Sequence, residues 1–254
     1  MPDSSCPPPP RNALRRLLAV YFPLGDPDVA VGMLDVYAEN GVDIVEFGWP
    51  ARDPYLDGPD VRASMSRASS GDLRGSLREA LRQLAGYAEA PQTLLMTYAE
   101  TDHPALADTA LLRGLDAVLV VGPPSAPLRT TIEAQARRVG AAVSVFLPLP
   151  VAEEDVAAAR RAGGYVMLQA APGVTGPRTT LDPANGERIA RLREAGVAAP
   201  IVLGFGVSGA EQARAAVALG ADGIVVGSAA LRAARQGRGA LGVLLRELRV
   251  GLDG

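Results

Sequence analysis

The chain has 254 residues, a formal net charge of −3 and 48% hydrophobic residues. That is ample apolar material for a core, long for an ordinary domain and normal for a single α/β barrel. With no basic excess, no nucleic-acid face is expected, and no apolar run reaches the length of a membrane span. The opening residues are polar and then proline-rich rather than a charged apolar leader, so we expect a cytoplasmic protein with a disordered tip over residues 1–10 and one barrel domain over 11–254. Two scarcities narrow the chemistry. There is no lysine, which excludes a Schiff base formed by the protein, and there is one histidine, His103, and one cysteine, Cys6. His-rich metal sites and Cys–His pairs are therefore excluded; no metal and no cofactor are expected, and acid–base work falls to carboxylates or tyrosines. His103 sits in a Thr-Asp-His-Pro loop and reads as a turn residue.

In chain order, Asn12 to Arg16 reads as a short amphipathic helix, and Leu17 to Leu24 as a strand ended by Gly25-Asp26-Pro27. Helical spacing follows from Val29 to Asn40 and stops at Gly41. Further strands are predicted at Ile44–Phe47, Thr93–Tyr98, Ala117–Val121, Ala142–Leu147, Tyr165–Gln169, Ile201–Gly204 and Gly223–Val226. Helices are predicted at Leu73–Ala88, Pro104–Leu112, Leu128–Val139, Glu153–Ala162, Pro183–Ala195, Gly209–Leu219 and Gly239–Gly251. Near-continuous apolar strands alternating with helices imply a parallel sheet buried on both faces. Eight such units in one undivided chain predict a single-domain α/β protein, a (β/α)8 TIM barrel, whose strand C-termini and following loops face the site.

At one such C-terminus, Asp43-Ile-Val-Glu-Phe-Gly-Trp49 ends a strand with Glu46 on it, and the loop beyond carries Asp53, Asp57 and Asp60. A carboxylate in an apolar strand is costly to bury. It is either ion-paired, with Arg52 or Arg62 as candidates, or held for general acid–base chemistry by two carboxylates in different environments. Trp49 reads as packing beside Pro50. Asp26, Tyr98, Glu100 and Gln169 fall on the same rim. Three glycine-bearing segments follow the last three strands: Pro172-Gly-Val-Thr-Gly176, Gly204-Phe-Gly-Val-Ser208 and Gly227-Ser228, the last opening a short helix at Ala229-Ala-Leu-Arg. Ser208 and Glu211 have capping-box spacing. Glycines allow close backbone approach and helix N-termini present free N–H groups, so together these segments favour a phosphate site.

Taken together, Leu24-Gly-Asp-Pro27, Val45-Glu-Phe-Gly48, Asp53-Pro54, Leu56-Asp-Gly-Pro59, Gly173-Val-Thr-Gly176, Gly204-Phe-Gly206 and Gly227-Ser228 resemble, in order, the tryptophan synthase α chain family, from about Leu17 to Leu231. The resemblance implies an aldehyde lyase that cleaves indole-3-glycerol phosphate to indole and glyceraldehyde 3-phosphate. It implies that Glu46 is the general acid/base and that Asp57 engages the indole N–H. It further implies phosphate contacts at Gly176, Gly206, Val207, Gly227 and Ser228, with Tyr21 and Met167 in the ring pocket. The indole ring is then the electron sink, so neither lysine nor metal is required. Departures from the family pattern include Met167 where a tyrosine is frequent, Gly122, Ala99-Glu100, Pro23 and Arg52. Several lie in loops that in the family communicate with a β chain, so a tryptophan synthase β chain is an optional partner and release of free indole a second expectation. The competing readings are another phosphate-binding barrel lyase or isomerase, or a non-catalytic α-like subunit modulating a pyridoxal-phosphate partner.

Overall fold

A computed structural model describes residues 15–101, 104–171, 173 and 180–254. Cys6, His103 and Gly176 lie outside the described residues, as do residues 1–10 and most of the predicted first helix; Arg15 and Arg16 are not helical.

Eight parallel strands close a barrel in sequence order: β1 (Leu17–Pro23), β2 (Ile44–Gly48), β3 (Gln92–Tyr98), β4 (Ala117–Val121), β5 (Ala142–Leu147), β6 (Val166–Gln169), β7 (Ile201–Gly204) and β8 (Gly223–Val226). β1 completes the barrel against β8, with Leu17 opposite Gly223 and Val20 opposite Val226. Nearly every strand residue is buried, because one face packs into the barrel and the other under the helices. The two faces of β1 and β2 can be told apart by side-chain alternation. Phe22 and Phe47 meet edge to face, ring centroids 6.0 Å apart, and Phe22 also meets Tyr37 of the helix layer at 5.9 Å. Their strand neighbours Tyr21 and Glu46, directly opposite one another in register, therefore point inward.

Ten α-helices are assigned among the described residues: α1 (Leu34–Glu39), α2 (Pro59–Ala68), α3 (Leu73–Ala85), α4 (Thr109–Leu112), α5 (Pro127–Arg138), α6 (Glu153–Ala159), α7 (Ala184–Glu194), α8 (Ala210–Ala218), α9 (Ser228–Gln236) and α10 (Arg238–Asp253). Several depart from the sequence-based expectation. The predicted Val29–Asn40 helix begins as a 3-10 turn at Val31–Met33, since Ala30 offers no capping oxygen. The Pro104–Leu112 segment divides at Asp108, whose carboxylate caps α4 by accepting from the Ala110 N–H at 2.9 Å. The Ser208–Glu211 box does not form; α8 is capped at Gly209 without a side chain. α2 was not expected, and α9 is longer than the short helix expected there.

The helix layer is tied to the barrel by arginines. Arg249 of α10 donates to the Arg16 and Gly41 carbonyls at 2.8 Å each and to Asp43 at 2.5 Å, holding the bottoms of β1 and β2. At the opposite end Arg232 of α9 reaches Asp60 of α2 at 2.7 Å, and Arg235 reaches Asp28 at 3.3 Å. Trp49 is fully buried, in keeping with a packing role. No helix among the described residues is long and apolar enough to cross a membrane.

Candidate active site

The inward faces of all eight strands enclose a cavity at the C-terminal end of the barrel. Glu46, Asp57, Tyr21 and Tyr98 give it polar groups, and Met96, Leu119, Phe146, Met167 and Val225 give it apolar walls. Leu56, Phe205 and Gly227 also border it.

Glu46 is 2% exposed and has no arginine partner among the described residues. The ion-pair alternative fails because Arg62 pairs with Asp53 at 2.8 Å instead. What reaches Glu46 is the Tyr165 hydroxyl, which donates to Oε1. Burial, with the Asp57 charge second, pushes the Glu46 carboxyl up from 4.5 to about 8. Near neutrality Glu46 therefore carries a proton it can give away. Asp57 is positioned differently. Its N–H closes a turn onto the Pro54 carbonyl at 2.9 Å, and Gly58 and Pro59 then start α2, so Asp57 sits just before a helix N-terminus, where negative charge is favoured. The Tyr98 hydroxyl donates to Asp57 Oδ2 at 2.7 Å. Burial first, then the Asp57 charge, raise the Tyr98 phenol far above its ordinary range, so it remains a donor. Two carboxyl groups on one cavity are thus held in unlike environments.

Tyr21 lies across Gly48: a Cβ at Gly48 would fall 2.1 Å from Tyr21 Cε2 and 2.3 Å from its hydroxyl, so only glycine fits there. The Tyr21 hydroxyl is buried with no hydrogen-bond partner among the described residues. Burial, followed by the charges of Asp57, Asp26 and Glu46, raises its phenol well above the ordinary value and keeps it protonated.

On the β7–β8 side, Phe205 adopts φ 73° and Gly206 φ 105°, a left-handed turn that a non-glycine residue adopts only under constraint. The Phe205 ring rests against Phe146 at 5.7 Å. Val207 is buried just beyond. Gly227 leads directly into α9, whose first residue is the buried Ser228. Gly206, Val207, Gly227 and Ser228 thus fall on adjacent strand ends, while Gly176 lies outside the described residues.

Two other rim residues join loops and helices. Asp26 accepts from Ser64 Oγ and from Arg67 at 2.9 and 2.6 Å, joining the loop after β1 to α2. Gln169 clasps two loops, accepting from Leu149 N–H at 3.0 Å and donating to the Gly173 carbonyl at 2.9 Å. Glu100 is exposed. Tyr165 was the residue sequence reasoning missed. The departure at Met167 suggested that a tyrosine near Glu46 had been lost, yet Tyr165, two residues upstream and so on the same face, meets it. Among the described residues no group of three or more His, Cys, Asp or Glu could hold a metal.

A closed eight-stranded barrel with acid and base groups at its C-terminal mouth and glycine turns after β7 and β8 has the build of a (β/α)8-barrel enzyme. Comparison with known proteins refines this. The profile of the tryptophan synthase alpha chain family matches residues 11–246. The tryptophan synthase alpha chain of Geobacter sulfurreducens is 35% identical over 230 residues, covering 86% of this chain and 84% of that one. Its counterpart in Synechococcus elongatus is 31% identical over 251 residues, covering 96% and 94%. A solved Mycobacterium tuberculosis tryptophan synthase structure superposes with a TM-score of 0.80 at 26% identity, over 94% of this chain and 93% of that one. The chain belongs to the tryptophan synthase alpha chain family, and is a carbon–carbon lyase of that type.

Proposed function

We propose that Glu46 and Asp57 carry out cleavage of indole-3-glycerol phosphate to indole and glyceraldehyde 3-phosphate. The observation that carries this is the unlike pair on one cavity: a glutamic acid held protonated to about pH 8 and an aspartate braced by a tyrosine donor. Protonated Glu46 gives its proton to the indole carbon that bears the side chain, and Asp57 accepts the indole N–H and stabilises the positive charge developing on the ring. The Glu46 carboxylate then takes the proton of the adjacent chain hydroxyl. The oxygen becomes an aldehyde, the carbon–carbon bond breaks, and its electron pair returns to the ring. Glu46 ends the cycle protonated, as it began. Proton transfer of this kind contributes about 10²–10⁴-fold.

Backbone N–H groups at Gly206, Val207, Gly227 and Ser228 would hold the phosphate, with α9's N-terminus adding its dipole. Tyr21 and Met167 would border the ring. The relatives' name and the solved tryptophan synthase support a β chain as partner.

Incubation of the protein alone with indole-3-glycerol phosphate, following free indole and glyceraldehyde 3-phosphate, tests this. Release abolished by Glu46→Gln or Asp57→Asn supports it. A sharp rise on adding a β chain would identify an α subunit needing its partner, and rapid release without one a self-sufficient lyase. Near-normal turnover by Glu46→Gln would refute the assignment.

A further inference from the structure

The mechanism above leaves one buried polar group of the cavity without work: the Tyr21 hydroxyl. It is buried, has no hydrogen-bond partner among the described residues, and belongs to a residue lining the cavity with Glu46 and Asp57. A buried hydroxyl with no partner is costly to maintain in a folded protein, and it is satisfied when a ligand brings one.

The position of β1 indicates which ligand atom that is. In the closed barrel β1 lies between β8 and β2. On one side Tyr21 is in register with Glu46, and its ring covers Gly48. On the other, Val20 is opposite Val226, so Tyr21 lies abreast of Gly227; a Cβ at Gly227 would come 3.9 Å from Tyr21 Cβ. Tyr21 therefore spans the interval between the glycine that opens α9 and the glutamate that handles the reacting hydroxyl. A substrate whose phosphate sits at α9 and whose reacting carbon sits at Glu46 must run its three-carbon chain across Tyr21. That chain carries one hydroxyl with no assigned partner, on its middle carbon, which the aldehyde product keeps.

We propose that the Tyr21 hydroxyl hydrogen-bonds this middle hydroxyl, making Tyr21 a specificity-determining residue for 2-hydroxylated three-carbon phosphates. The proposal rests on the reading of the site given above. Tyr21→Phe keeps the ring over Gly48 and removes only the oxygen.

Two measurements test it. In the condensing direction, indole is offered with glyceraldehyde 3-phosphate or with 3-oxopropyl phosphate, which lacks only the middle hydroxyl. The wild-type preference for the hydroxylated aldehyde, as a ratio of kcat/KM values, is expected to fall about 10- to 100-fold in Tyr21→Phe. In the second, inert probes are titrated calorimetrically: glycerol 3-phosphate against 3-hydroxypropyl phosphate. The wild type is expected to prefer the former by about tenfold and Tyr21→Phe to bind both alike. A melting temperature at or above the wild type's confirms that the variant folds. Ratios unchanged by Tyr21→Phe in both measurements overturn the proposal. If the wild type condenses neither aldehyde with indole, the lyase reading of the site fails, and the probe titration still decides whether Tyr21 reads the middle hydroxyl.

Discussion

Replacing Glu46 by glutamine removes a titration as well as a transferable proton, and the structure makes the stability consequence calculable. Burial and the Asp57 charge raise the folded-state carboxyl from 4.5 to about 8. Between those values the native chain keeps a proton that the unfolded chain has released, so native stability falls as pH rises through the window and levels off above it. Each unit corresponds to about 1.36 kcal/mol, so by pH 7 the wild type has lost about 3 kcal/mol relative to pH 4.5 through this one group. Glutamine does not titrate, and its amide oxygen still accepts from Tyr165. Glu46→Gln is therefore expected to be inactive yet increasingly more stable than wild type as pH rises. At about 2–4 °C per kcal/mol for a chain of this size, the advantage gained between pH 4.5 and pH 7 is about 6–12 °C in Tm. Thermal or urea melts of both proteins from pH 4.5 to 8.5 measure it, and titrating groups not coupled to Glu46 cancel in the difference. A gap that stays flat with pH would refute the reasoning, because Glu46 would then ionise like an exposed glutamate.

The same proton shapes the rate. With protonated Glu46 as the active form, kcat/KM is expected to be flat through neutrality and to fall about tenfold per unit above about pH 8. Tyr165→Phe removes a donor to the ionised carboxylate and should shift that fall to higher pH; a limb that does not move argues against the contact. Tyr98→Phe leaves Asp57 without its hydroxyl donor and is expected to lower kcat/KM about 10- to 100-fold with little change in Tm, whereas a loss under about threefold would mean Tyr98 only packs. Gly48→Ala drives a methyl into the Tyr21 ring and should cost about 1–3 kcal/mol of stability, read by urea melts. In a Tyr21→Ala background the same change should cost much less, and an equal cost in both would show that the clash lies elsewhere.

The eight strands were legible because burial on both faces makes them near-continuous apolar runs, and their order sufficed to close the barrel. Helix ends were less so, being set by caps: Asp108 stops one helix and starts another, and Gly209, not Ser208, opens α8. α2 was hidden by its own buried face, Val61, Ser64, Met65 and Ala68, where a serine occupies a core position because its hydroxyl is bonded to Asp26. Glu46 and Asp57 could be located from their strand end and loop, but not which arginines would ignore them. Arg62 goes to Asp53, a choice made by three-dimensional reach rather than by spacing. Tyr165 was within reach of a parity argument, since residues 165 and 167 share a face of β6 and its approach, but aligned positions drew attention to Met167 alone. The orphaned Tyr21 hydroxyl had no signal in the sequence, because a missing partner shows only once all neighbours are placed.

The barrel closes where its first strand meets its last, and the cavity sits astride that closure. Leu17 is opposite Gly223, so the chain must be nearly all present before β1 gains its second neighbour. During synthesis, when N-terminal segments emerge first, Tyr21, Glu46 and Asp57 are made early but face an open gap until β8 and α9 arrive. A nascent or truncated chain ending before β8 would hold Glu46 and Asp57 and none of Gly227, Ser228 or the Arg232 tie to Asp60. Closure of the cavity is then gained in the final stretch of chain rather than accumulated along it.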